Sequence, residues 1–108
     1  MKNLENIEEL KKLISQEKIL LVQFGTDSCA PCFSLKNKID SWKFSDKIKS
    51  IYVSIEKFPE VTAQENIFTA PTIEVFIEGK LSIRKSGYFS LDEIFQQILR
   101  YLELFENN

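Results

Sequence analysis

Gln23-Phe24-Gly25-Thr26-Asp27-Ser28-Cys29-Ala30-Pro31-Cys32 is the stretch on which the reading of this chain turns. Ile19-Leu20-Leu21-Val22 precedes it, a short continuous apolar run extended through Gln23 to Phe24. Such a run suits a strand buried on both faces, as in α/β proteins. Gly25-Thr26-Asp27-Ser28 supplies loop chemistry. From Pro31 the chain tolerates helix, with Leu35 and Ile39 four apart. Cys29 and Cys32 therefore flank a strand-to-helix junction. Residues three apart on a helix lie about 5–6 Å apart, and a disulfide needs Cα atoms about 4.4–6.8 Å apart. The two sulfurs can join or part with little backbone movement. Pro31 suits the first helical turn, where its missing N–H would lack a partner anyway. Cys29 at the helix N-terminus meets free N–H groups and the positive end of the helix dipole, which favour its thiolate. Cys32, one turn in, is expected to be less exposed.

Working outward, Asn6-Ile7-Glu8-Glu9 has the form of a helix start with Asn6 as cap. Ile7, Leu10, Leu13 and Ile14 follow at helical spacing. Ile51-Tyr52-Val53-Ser54-Ile55 predicts a second strand, and Pro59 opens a short helix to about Asn66. After Pro71 the period is two: Ile73, Val75 and Ile77 point one way and Thr72, Glu74 and Phe76 the other. Glu78-Gly79-Lys80 predicts a tight hairpin turn into an edge strand over Leu81-Ser82-Ile83-Arg84. Ser90-Leu91-Asp92-Glu93 is a capping box before an amphipathic helix carrying Leu91, Ile94, Phe95, Ile98, Leu99, Leu102 and Phe105. The order α-β-α-β-α-β-β-α predicts an α/β domain, packed from Asn6 to about Phe105, with helices on both faces of a mixed sheet. The crossovers through helices are expected to be right-handed.

Composition narrows the chemistry. The 108 residues suit one domain, 1–108, and 44% hydrophobic with 28% charged residues is a globular balance. A net charge of -2 makes nucleic acid a poor partner. No apolar run reaches membrane-spanning length, and Met1 to Asn6 lacks the apolar core of a signal peptide. Histidine is absent, which removes His-based zinc sites and Cys-His or Ser-His nucleophile pairs. The two cysteines carry what covalent chemistry remains. Three readings stand at this point: a redox pair, half of a metal or iron–sulfur site shared across a dimer, or inert thiols. No glycine-rich dinucleotide fingerprint is present, so no cofactor is expected.

The Gln23–Cys32 stretch, followed later by Thr69-Ala70-Pro71-Thr72, resembles the thioredoxin family over nearly the whole chain. The resemblance implies a thioredoxin fold, with a central mixed four- to five-stranded β-sheet flanked by helices. It implies a cis peptide between Ala70 and Pro71. It implies that Cys29 and Cys32 are catalytic, and that Ser28, Pro31, Ala70, Pro71 and Gly87 form a substrate-binding groove. The implied function is thiol–disulfide exchange that reduces protein disulfides, in the cytoplasm, by a monomer that an NADPH-dependent thioredoxin reductase would recharge. A binding or adaptor module with weak redox turnover is the alternative from another class.

The chain departs from the family pattern at defined places. Ser28 stands where the family usually has Trp, Ala30 where it has Gly, and Gly25 where an aromatic is common. Gln23 replaces a buried Asp that helps move the inner cysteine's proton, and Tyr52 stands where a Lys often partners that Asp. Gln does not titrate, so a neutral pair replaces a charged one and no lone buried charge is left. Cys32 is then expected to lose its proton without a side-chain base, to water or the partner, and to resolve a mixed disulfide more slowly at neutral pH. Phe33, where Lys is frequent, suits either a recognition contact or the core. Trp42 is far from the motif in sequence, which predicts a small fluorescence response to redox state.

Overall fold

A computed structural model describes residues 1–107. The elements run β1 (Lys2–Asn3), α1 (Ile7–Gln16), β2 (Ile19–Gly25), α2 (Ala30–Asp40), a 3-10 turn (Ser45–Lys47), β3 (Lys49–Ser54), α3 (Pro59–Gln64), β4 (Thr72–Ile77), β5 (Lys80–Ser86) and α4 (Leu91–Glu106). They build a five-stranded mixed sheet in the order β1-β3-β2-β4-β5. β1 and β2 run parallel to β3, while β4 is antiparallel to β2 and β5 to β4.

Side-chain alternation divides the core. Leu20, Val22 and Phe24 pack with Ile51, Val53 and Phe76 against Leu10 of α1 and Val61 of α3. Ile19 and Leu21 pack with Ile73, Val75 and Ile77 against Ile39 of α2 and Ile94, Phe95 and Ile98 of α4. All seven residues of β2 are buried, as the unbroken apolar run predicts for a central strand covered on both faces.

The helix starts follow their caps. Asn6 Oδ1 accepts the Glu9 N–H at 2.8 Å, and Ser90 Oγ accepts that of Glu93 at 3.2 Å. The Glu9 carboxylate reaches back to the Glu5 N–H and to Lys2 Nζ instead of the cap's own N–H.

Several expectations are corrected. Packing begins before Asn6: Lys2–Asn3 pairs with β3 and Leu4 is buried. The hairpin turn has two residues, with Lys80 already paired to Ile77. Glu78 and Gly79 both have positive φ, 49° and 82°, the geometry that matches the twist of tightly joined strands. α3 stops at Gln64, and Asn66 follows in the left-handed region at φ 56°. Beyond these corrections, all six residues of β4, Glu74 included, are buried, because helices cover both sides of the sheet.

Candidate active site

β2 delivers the chain to the sheet's end and the Gly25–Ser28 loop turns it into α2. Asp27 N–H donates to Glu56 Oε1 at 2.9 Å, which ties that loop to the segment after β3. Cys29 is the N-cap of α2, and the N–H of Cys32 donates to Cys29 Sγ at 3.1 Å. A sulfur in the cap position takes the place of a capping oxygen, and a thiolate there would meet the unpaired N–H groups of the first turn. Cys29 and Cys32 form a disulfide with Cα atoms 5.2 Å apart, inside the range the spacing predicts. Cys29 is partly exposed and Cys32 is fully buried. One sulfur is reachable from solvent and the other waits beneath it.

The Ala70–Pro71 peptide is cis, as the resemblance implies, and Pro71 stands immediately before β4. The Gly87 N–H donates to the Pro71 carbonyl at 3.0 Å. Gly87 has φ 73°, a conformation that favours glycine. Pro31, Leu35, Lys38, Pro71, Gly87 and Tyr88 line one shallow groove of about 280 Å³. Three of the five residues anticipated as groove residues, Pro31, Pro71 and Gly87, therefore meet. Ser28 and Ala70 are not among its lining residues; Ser28 is exposed and Ala70 half-buried, each next in sequence to a site residue.

Exposed aromatic residues lie near the motif residues in sequence, and one of them, Tyr88, lines the groove. Phe33 is 49% exposed, so it is not a core residue. Tyr88 and Phe68 also project into solvent. Sequence reading missed both. A large apolar residue one position after Gly87, and another two before Ala70, were the available signals.

Under the motif lies a neutral polar layer. Gln23 Nε2 donates to the Cys32 carbonyl at 2.8 Å, and Gln23 is fully buried. Tyr52 is its neighbour in the β2–β3 register, on the same face of the sheet. Burial first, then the carboxylates of Asp27 and Glu56, push the Tyr52 phenol above its ordinary range, so it stays protonated. Gly25 makes room: a Cβ there would overlap the Tyr52 hydroxyl and stand 3.0 Å from Cys32 Sγ.

Comparison with known proteins agrees with this arrangement. The family model described as Thioredoxin matches residues 2–100. Thioredoxin of Mycoplasmoides gallisepticum is 28% identical over 102 residues, covering 87% of this chain and 95% of that protein. Thioredoxin-2 of Pyricularia oryzae is 31% identical over 81 residues, 72% of this chain. The chain spans about half the length of some curated relatives it matches, 46% of the Pyricularia protein among them. The oxidised thioredoxin of Plasmodium falciparum superposes with a TM-score of 0.78 at 26% identity, covering 94% of this chain and 97% of that one. The chain belongs to the thioredoxin family.

Proposed function

We propose that this protein is a thiol–disulfide oxidoreductase that reduces disulfides in other proteins. The observation that carries the reading is the placing of Cys29 Sγ at the N-cap of α2, partly exposed, with Cys32 buried within bonding reach. In the reduced chain the Cys29 thiolate attacks one sulfur of a partner disulfide. A Cys29–partner bond forms, the partner's own S–S bond breaks, and its second sulfur leaves as a thiolate that takes up a proton. Cys32 then loses its proton to water or to the partner sulfur it displaces, and attacks Cys29 Sγ. The mixed disulfide breaks, the partner leaves as a dithiol, and the Cys29–Cys32 disulfide remains. Two electrons pass to the partner. An NADPH-dependent thioredoxin reductase would return them, as family membership suggests.

The groove beside Pro31, Pro71 and Gly87 suits an extended segment of the partner, with Ala70 offering backbone groups at its edge and Ser28 flanking Cys29. Tyr88, exposed and lining that groove, adds apolar contact. Action as a monomer in a reducing cytoplasm fits an exchange-ready dithiol.

Reduction of insulin disulfides by dithiothreitol tests the reading. Catalysis by the chain, loss of it in Cys29→Ser, and accumulation of mixed disulfides in Cys32→Ser are expected. A chain that binds partner proteins yet never accelerates reduction would be a binding module instead. Metal or colour in anaerobically purified protein would point to a shared metal or cluster.

A further inference from the structure

Two polar atoms are stranded beneath the redox pair. Among the described residues, the Tyr52 hydroxyl and Gln23 Oε1 are buried side-chain atoms without a hydrogen-bond partner. An unpartnered buried hydroxyl costs about 1–3 kcal/mol, so its retention calls for a state in which it is satisfied. The Tyr52 hydroxyl occupies the space over Gly25 that a Cβ would take, and Cys32 Sγ lies 3.0 Å from that same point, so the two atoms are neighbours. In the disulfide, Cys32 Sγ is bonded to Cys29 and is a poor acceptor. When that bond breaks, the two sulfurs must move apart. Cys29 is held at the helix cap by the Cys32 N–H, and on its Gly25 side Cys32 Sγ has the Tyr52 hydroxyl as its neighbour.

We infer that Tyr52 is a redox-gated hydrogen-bond donor, whose O–H is unpaired in the disulfide and donates to the Cys32 thiolate once the pair is reduced. The inference rests on the exchange chemistry proposed above. It supplies what Gln23 cannot, a group that stabilises negative charge on the inner sulfur, without itself taking the proton. That proton still leaves to water or the departing partner thiolate. Tyr52 remains protonated throughout, since burial and the carboxylates of Asp27 and Glu56 oppose its ionisation. The other charges that face it are Lys36, whose Nζ lies 4.9 Å from the ring centroid, and Lys57, which lines with Tyr52, Asp27 and Glu56 an open pocket of about 390 Å³.

The donor favours the reduced pair over the disulfide. Tyr52→Phe keeps the ring and removes only the O–H. Hydrogen bonds to charged groups contribute about 1.5–3 kcal/mol. Equilibration with dithiothreitol above the Cys32 titration should therefore shift by about tenfold or more toward the disulfide in Tyr52→Phe. Tenfold corresponds to about 30 mV more negative. The Cys32 titration, read from a ¹³Cβ label in the reduced protein, should move up by about one unit for each tenfold. The oxidised variant should unfold at the same temperature as the parent or higher, since it sheds an unpaired donor. A merely structural tyrosine would change both redox forms alike. Equal shifts in the two forms, or an unmoved equilibrium, overturn the inference while leaving the exchange chemistry standing. A parent disulfide that dithiothreitol cannot open overturns both. If Tyr52→Phe does not fold, the parent decides: the Tyr52 ¹³Cζ resonance must respond to ionisation of Cys32, and a resonance indifferent to it refutes the donor.

Discussion

Replacing Glu74 with Gln should abolish a pH dependence of stability that the parent chain carries between about pH 4 and 8. Glu74 is 0% exposed in the centre of β4, and among the described residues neither carboxyl oxygen has a hydrogen-bond partner. Arg84 Nη1 stands 3.7 Å from Oε2, too far for a hydrogen bond. Burial, followed by the charge of Glu65, raises the carboxyl from its ordinary 4.5 to about 7, with Arg84 pulling the other way. The sign follows from which state holds the proton. Between the two values the folded chain keeps a proton that the unfolded chain has released. Stability from this group is therefore complete below about 4.5 and is lost as pH rises through 7. At 1.36 kcal/mol per pKa unit the full loss is about 3 kcal/mol. Gln has nearly the shape of the protonated acid and never ionises. Urea unfolding at pH 4 should barely distinguish the two chains. At pH 9 the variant should be the more stable by about 3 kcal/mol, or about 10 °C or more in Tm for a domain of this size. Glu65→Gln should move the parent's midpoint downward, because it removes the second cause. A Glu74→Gln chain that loses stability with pH in step with the parent would refute the reasoning, for another group must then carry the titration.

Other perturbations probe the site. Gly25→Ala places a Cβ against the Tyr52 hydroxyl and Cζ, the latter at 2.8 Å, and overpacking of that kind should cost about 1–3 kcal/mol in denaturant unfolding. Gln23→Asp introduces a titratable group beside Cys32, so the rate of mixed-disulfide resolution should gain a new pH dependence; an unchanged profile would tell against the view that the parent lacks a base. Tyr88→Ser removes an exposed ring from the groove and should raise KM for a peptide disulfide about fivefold, the equivalent of about 1 kcal/mol, with the dithiothreitol equilibrium untouched. Trp42 follows the C-terminal end of α2, about 16 Å of helix from Cys29, and stacks on Phe95 at 4.1 Å. Its emission should change little on reduction, and strong quenching in the disulfide form would contradict this placement.

The parts of the fold that announce themselves in sequence are those with local causes. An unbroken apolar run became the central strand, a cap residue began each long helix, and Cys-x-Pro-Cys fell at a helix start because proline and a capping sulfur both suit one. What escaped depends on contacts distant along the chain. β1 is two residues long and owes its strand form to pairing with Ile51 and Tyr52. Glu74 alternates with apolar neighbours as a solvated residue would, and only the helices over both faces make it buried. Nothing in Phe33, Phe68 or Tyr88 beyond its place near a motif residue hints at exposure, since an aromatic residue in a sequence looks the same in a core or on a surface. The family resemblance set Tyr52 beside Gln23, but its hydroxyl lies beside Cys32 Sγ only because residue 25 has no side chain to occupy that place.

The two buried polar groups of the sheet occupy opposite faces, and that separation has a measurable consequence. Glu74 shares its face with Val22 and Phe76, under α1 and α3, while Gln23 and Tyr52 lie on the face under α2. A carboxylate buried beneath Cys32 would couple its own proton to the sulfur's, because charges interact strongly where water is excluded. Here the layer beneath the sulfur is neutral and the ionisable group is screened from it by the sheet. Protein stability and sulfur reactivity should then titrate independently. Glu74→Gln should leave the disulfide equilibrium with dithiothreitol unchanged at every pH from 6 to 9, even as it flattens the stability curve. A Glu74→Gln variant whose redox equilibrium also changes with a midpoint near 7 would mean that the two faces communicate, and that the neutral layer does not insulate the sulfur.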